Sequence, residues 1–192
     1  MVVISPQARG AFACVALLFL MAGCATVPVS PAPSVQALAD VPFSADGRIS
    51  ARHGNDAVSA NFRWEHTAAR DQLELATPLG QTVAQLDGDA SRAEVRLPDG
   101  RTLAATDWTA LTERALGIPI PVVGLSAWVR GGPHGGSAFS TEPDGRGRIS
   151  LLRQDGWEIV FDYADPPEAR PSRLRMTYPG GVEIRLVVDR LE

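Results

Sequence analysis

Val58-Ser59-Ala60-Asn61-Phe62-Arg63-Trp64-Glu65 is the stretch from which the fold is read. Its apolar residues at 58, 60, 62 and 64 alternate with Ser59, Asn61, Arg63 and Glu65. Successive side chains of a strand leave opposite faces, so this period of two predicts a strand with one dry and one wet face. Leu73, Leu75 and Thr77 continue the pattern in a following strand. Val83 to Leu86, Ala93 to Leu97 and Arg101 to Ala105 predict three more, separated by the turn formers Gly88-Asp89 and Pro98-Asp99-Gly100. Strands resume near Arg148. Trp157, Ile159, Phe161 and Tyr163 alternate with Glu158, Val160 and Asp162. Leu174, Met176 and Tyr178 give the next dry face, and Val182, Ile184, Leu186 and Val188 the last.

Between the two strand blocks the period changes. Asp107 can cap a helix running to about Leu116, with Leu111, Ala115 and Leu116 inward and Gly117 as its stop. Pro119 and Pro121 interrupt the chain. Leu125, Trp128 and Val129, at helical spacing, predict a second short helix that ends at Gly131-Gly132-Pro133. The order predicts a mainly β antiparallel meander with helices inserted in mid-chain. A sheet that is apolar on one side must bury that face, and the helices are the available lid. A curved sheet so covered leaves a concave apolar interior suited to lipid.

The N-terminus carries a different signal. Arg9 precedes an apolar run from Ala11 to Ala22, which ends on Leu20-Met21-Ala22-Gly23-Cys24. A positive start, an apolar core and small residues before a cysteine make a bacterial lipoprotein signal peptide, with Cys24 as the lipidated first residue of the mature chain. The run is too short against the ~20 residues that span a bilayer. Ala25 stands where an Asp would favour retention at the inner membrane, so the outer membrane is expected. Residues 24–42 hold Pro28, Pro31, Pro33 and Pro42 and form a tether, within which Val35-Gln36-Ala37-Leu38-Ala39 can make one helical turn. Residues 1–23 are thus signal peptide, 24–42 lipidated Cys and tether, and 43–192 one domain with its own core.

Cys14 lies in the signal peptide and Cys24 takes lipid, so no disulfide is expected. The chain has no lysine, its net charge is −4 and no basic tract appears, which gives no support for nucleic acid as a partner. His53, His66 and His134 are scattered without a metal pattern. Glu65 and His66, adjacent on a strand, point to opposite faces. Gly124-Leu125-Ser126-Ala127 lacks the closing glycine of a nucleophile elbow, and Gly131-Gly132-Pro133-His134-Gly135-Gly136 has no phosphate-loop lysine. No enzyme and no cofactor are expected. Thr77-Pro78-Leu79-Gly80-Gln81-Thr82 is a turn with an apolar residue at its tip. Leu79 either folds back into the core or stands out as an apolar finger for a membrane or lipid.

Several segments together resemble the LolB family, the outer-membrane receptor for lipoproteins. They are Gly47-Arg48-Ile49-Ser50, Asn61-Phe62-Arg63-Trp64, Ala76-Thr77-Pro78-Leu79-Gly80, Leu116-Gly117-Ile118-Pro119-Ile120-Pro121, Leu125-Ser126-Ala127-Trp128-Val129 with Gly131, and Gly156-Trp157-Glu158-Ile159. The resemblance runs from about Asp40 to the C-terminus. It implies an incomplete, half-open antiparallel β-barrel whose apolar cavity is covered by short α-helices. It implies acceptance of acylated lipoproteins from the periplasmic carrier LolA and their insertion into the outer membrane, by a lipid-anchored monomer facing the periplasm. It assigns the membrane-insertion loop to Pro78, Leu79 and Gly80. It matches the family's cavity tryptophans to Trp64, Trp128 and Trp157, each of which serves equally well as plain core packing. Trp108 has no clear counterpart and is read as packing at the lid. The family's C-terminal aromatic is absent, Leu191 standing near that place. The alternatives are a lipoprotein that binds phospholipid or lipopolysaccharide, and a structural envelope subunit.

Overall fold

The computed structural model describes residues 35–164 and 169–192. The signal peptide, Cys24 and the first part of the tether lie outside these residues. Val35–Glu192 is one compact unit and contains the hydrophobic core of the described residues.

Eleven strands form one antiparallel sheet among the described residues. They are β1 Phe43–His53, β2 Asp56–Thr67, β3 Arg70–Ala76, β4 Thr82–Gly88, β5 Ala93–Arg96, β6 Thr102–Ala105, β7 Phe139–Pro143, β8 Ile149–Gln154, β9 Trp157–Asp162, β10 Arg173–Tyr178 and β11 Val182–Leu191. Helices α1 Trp108–Leu116 and α2 Val122–Trp128 lie between β6 and β7. The strand order is β6-β5-β4-β3-β2-β1-β11-β10-β9-β8-β7. The first and last strands of the chain pair at its centre, and the two strands that flank the helical insert are its edges. The half-open sheet expected from the sequence is therefore found, and β6 and β7 bound the opening.

Register sets the dry face. Across β1 and β2, Ala45 stands opposite Trp64, Gly47 opposite Phe62 and Ile49 opposite Ala60. Across β10 and β11, Leu174 faces Leu186 and Met176 faces Ile184. Because side chains alternate with period two, these pairs put every apolar set on one side. There they join Trp108, Leu111, Val122, Leu125 and Trp128 of the helices in a single core.

The period-two pattern did not reveal β1 or β7. The dry positions of β1 are Phe43, Ala45, Gly47, Ile49 and Ala51, where small residues blunt the alternation. Smallness is required at Gly47. A Cβ there would lie 2.0 Å from the Val187 carbonyl oxygen and 2.8 Å from the Phe62 ring. β7 is a short edge strand in which no residue is fully buried, so it carries no hydrophobic signature.

α1 begins and ends where the sequence placed it. The Asp107 side chain accepts the Ala110 N–H at 2.8 Å, and Gly117 closes the helix with φ 74° and an N–H to the Glu113 carbonyl. α2 starts after Pro121 and buries Val122, Leu125, Ala127 and Trp128. Two expectations are corrected. Residues 35–39 form no helical turn. The Leu38 N–H instead donates to the Pro133 carbonyl at 2.8 Å, and Arg130 Nη1 donates to the Ala39 carbonyl at 2.8 Å. These tertiary bonds replace those a lone turn would make. Tyr178 does not join Leu174 and Met176 in the core. It is the last residue of β10, remains exposed, and lies against Trp157 with ring centroids 5.0 Å apart.

Candidate functional site

The loop between β3 and β4 is closed by its own hydrogen bonds. The Thr77 N–H donates to the Gln81 carbonyl and the Gly80 N–H to the Thr77 carbonyl, each at 2.8 Å, while Gln81 N–H reaches Thr77 Oγ1 at 3.2 Å. Gly80 supplies the left-handed φ of 83° that the turn requires. The turn holds Leu79 away from the core at 91% exposure, with Pro78 and Gly80 also exposed. Leu79 is therefore not folded back into the core.

Under the lid, the interior is nearly filled. A void of about 40 Å³ remains among Phe62, Trp64, Leu75, Leu86, Val122 and Leu125. That holds little more than one water at ~30 Å³ and no acyl chain. A larger groove of about 350 Å³ opens on another side, over Trp108, Pro119, Val122, Val123, Trp157 and Tyr178.

The three expected cavity tryptophans do not share one space. Trp64 borders the inner void and meets the Phe43 ring edge-on at 5.0 Å. Trp157 borders the groove. Trp128 is fully buried, with its ring centroid 6.3 Å from that of Trp157. Its indole N–H donates to Gln154 Oε1 at 3.0 Å. Gln154 in turn donates from Nε2 to the His134 carbonyl at 2.8 Å, which ties the glycine-rich loop to β8.

A polar cluster that sequence reading missed lies beside Trp64. His66 is buried between two carboxylates, with Nδ1 2.7 Å from Asp71 Oδ1 and Nε2 2.7 Å from Asp40 Oδ1. The Trp64 indole N–H donates to the same Asp71 oxygen at 2.7 Å. The Phe43 ring stacks on the imidazole at 4.7 Å. Burial pushes the Asp71 carboxyl above its usual range, opposed in part by its bonds from His66 and Trp64. The signal available was the β2–β3 hairpin, whose register sets His66 directly opposite Asp71. Two carboxylates, an imidazole and an indole meet there. The arrangement fastens the start of the domain to the sheet.

The model of the family described as outer membrane lipoprotein LolB matches residues 41–190. The chain belongs to the LolB family. An outer-membrane lipoprotein LolB of Chromobacterium violaceum is 36% identical over 90% of this chain and 93% of its own length. That of Azoarcus sp. is 34% identical over 95% and 94%, and that of Thiobacillus denitrificans 36% over 90% and 92%. Among solved structures, one described as an outer membrane lipoprotein-sorting protein domain from Vibrio parahaemolyticus covers 81% of this chain and 86% of its own, at 10% identity and a TM-score of 0.42. Membership assigns the chain to the outer-membrane lipoproteins of lipoprotein localization, a transport family and not an enzyme family.

Proposed function

We propose that this protein takes acylated lipoproteins from the periplasmic carrier LolA and inserts them into the outer membrane. In this reading it is a monomer held at that membrane by lipid on Cys24 and facing the periplasm. The observation that carries the proposal is Leu79, 91% exposed on a loop of LolB-like sequence. An exposed leucine forgoes the ~1.5–3 kcal/mol that burial of such a side chain brings. Contact with a bilayer recovers that energy, so Pro78, Leu79 and Gly80 form the insertion loop.

Each buried methylene is worth about 0.8 kcal/mol, so acyl chains do not cross water unshielded. They need an apolar site that is affine enough to accept them and loose enough to release them. The void of about 40 Å³ takes such a chain only after α1 and α2 part from the sheet. Parting them uncovers Trp108, Leu111, Val122, Leu125 and Trp128, a cost that burial of the entering acyl chain has to offset. Trp64, Trp128 and Trp157 then line the widened space.

The test mixes residues 24–192, made without lipid, with LolA loaded with a tagged lipoprotein. Movement of the tag to the domain supports the proposal. If the tag stays on LolA while the domain binds phospholipid or lipopolysaccharide, the function is lipid binding of another kind.

A further inference from the structure

Trp108 opens α1, is 2% exposed, and has an indole N–H with no acceptor among the described residues. The indoles of Trp64 and Trp128, by contrast, are both engaged. A buried donor without a partner is rare in folded proteins, because it forfeits its bond to water. Trp108 also lines the groove of about 350 Å³ formed with Pro119, Val122, Trp157 and Tyr178. The Thr109 and Tyr178 hydroxyls border the groove as well, while its charged groups are engaged. The Asp107 carboxylate caps α1, and His134 Nε2 lies 2.5 Å from Asp155 Oδ2.

We infer that this groove is an acyl site that captures a neutral carbonyl, in which the Trp108 N–H donates to one ester of a lipoprotein's diacylglyceryl-cysteine. The inference rests on the receptor reading above. A methylene and a water are of similar bulk, ~30 Å³, so the groove takes on the order of ten methylenes of one chain. The uncharged ester is favoured over an acid headgroup because Asp107 and Asp155 border the groove and no arginine does. The same charges disfavour a phospholipid, whose phosphate stands close to its esters. The N–H is itself covered, so a carbonyl reaches it only as the entering chain displaces side chains that line the groove.

The test labels the tryptophan indoles with ¹⁵N in residues 24–192 and assigns the Trp108 signal with Trp108→Phe. Methyl laurate should move the Trp108 N–H downfield and leave those of Trp64 and Trp128 in place. Dodecyl methyl ether, whose oxygen is a weaker acceptor than a carbonyl, should shift it less. Trp108→Phe should weaken the ester about two- to tenfold, the usual effect of one neutral hydrogen bond, and weaken the ether less. A dipalmitoylglyceryl-cysteinyl peptide should reproduce the shift, and phosphatidylethanolamine should not. Binding of the ester without movement of the Trp108 signal overturns the inference, as does equal weakening of ester and ether. An equal shift with phosphatidylethanolamine overturns the assignment to lipoprotein. If LolA still delivers cargo to the domain in those cases, the receptor reading stands by itself. If it does not, both fall.

Discussion

The indole N–H of Trp64 donates to the Asp71 carboxylate at 2.7 Å inside the dry face of the sheet. Asp71 thereby joins the interior of the barrel to His66 and, through it, to Asp40 at the entry of the domain.

Burial makes this contact pH-dependent. The folded protein holds the Asp71 proton to a higher pH than the unfolded chain does. Stability contributed by that proton is therefore complete below the ordinary carboxylate pKa of ~3.9 and is lost as pH rises through the raised value. Asp71→Asn keeps an oxygen for Trp64 and cannot titrate. In urea unfolding from about pH 4 to about pH 7, the stability of the wild type relative to Asp71→Asn should fall as pH increases. A difference that grows with pH contradicts this placement of the carboxyl.

Gly47 sits at the centre of the sheet, where a methyl group has no room against the Val187 carbonyl and the Phe62 ring. Gly47→Ala should cost about 3 kcal/mol or more, since relief requires moving the backbone of β11 and not merely a side chain. The check is the urea midpoint at unchanged slope. A loss below about 0.5 kcal/mol would mean that β1 and β11 are not paired as described.

The Asp107 side chain holds the first turn of α1. Asp107→Ala should cost about 1 kcal/mol of stability. An acyl chain does not fit the closed void, so opening comes before entry, and a loosened α1 should accept cargo from LolA faster. Time-resolved transfer to the purified variant measures this. Unchanged or slower acceptance at reduced stability would show that α1 is not part of the moving lid.

Much of this was legible in the sequence because it depends on local periodicity. The alternation through Phe62 and Trp64, the Asp107 cap, the Gly117 stop and the Pro78–Gly80 turn are each specified by residues within a few positions of one another. What escaped depends on distant partners. β1 is a strand because β2 and β11 flank it, while its own small residues say little. Asp40 reaches His66 across the fold, and the helical turn expected at 35–39 gave way to bonds with Pro133 and Arg130. The exposure of Leu79 was an open question because turn chemistry fixes the backbone and not where the tip side chain rests.

The central claim divides into acceptance and delivery, and Leu79→Glu separates them. The side chain touches little of the protein, so stability should stay within about 0.5 kcal/mol. The decisive measurement follows a tagged lipoprotein from loaded LolA to the lipidated receptor and then into liposomes, for the wild type and Leu79→Glu. The account predicts near-normal transfer to the variant receptor and loss of transfer from it to the bilayer. Normal delivery to liposomes by Leu79→Glu would contradict it.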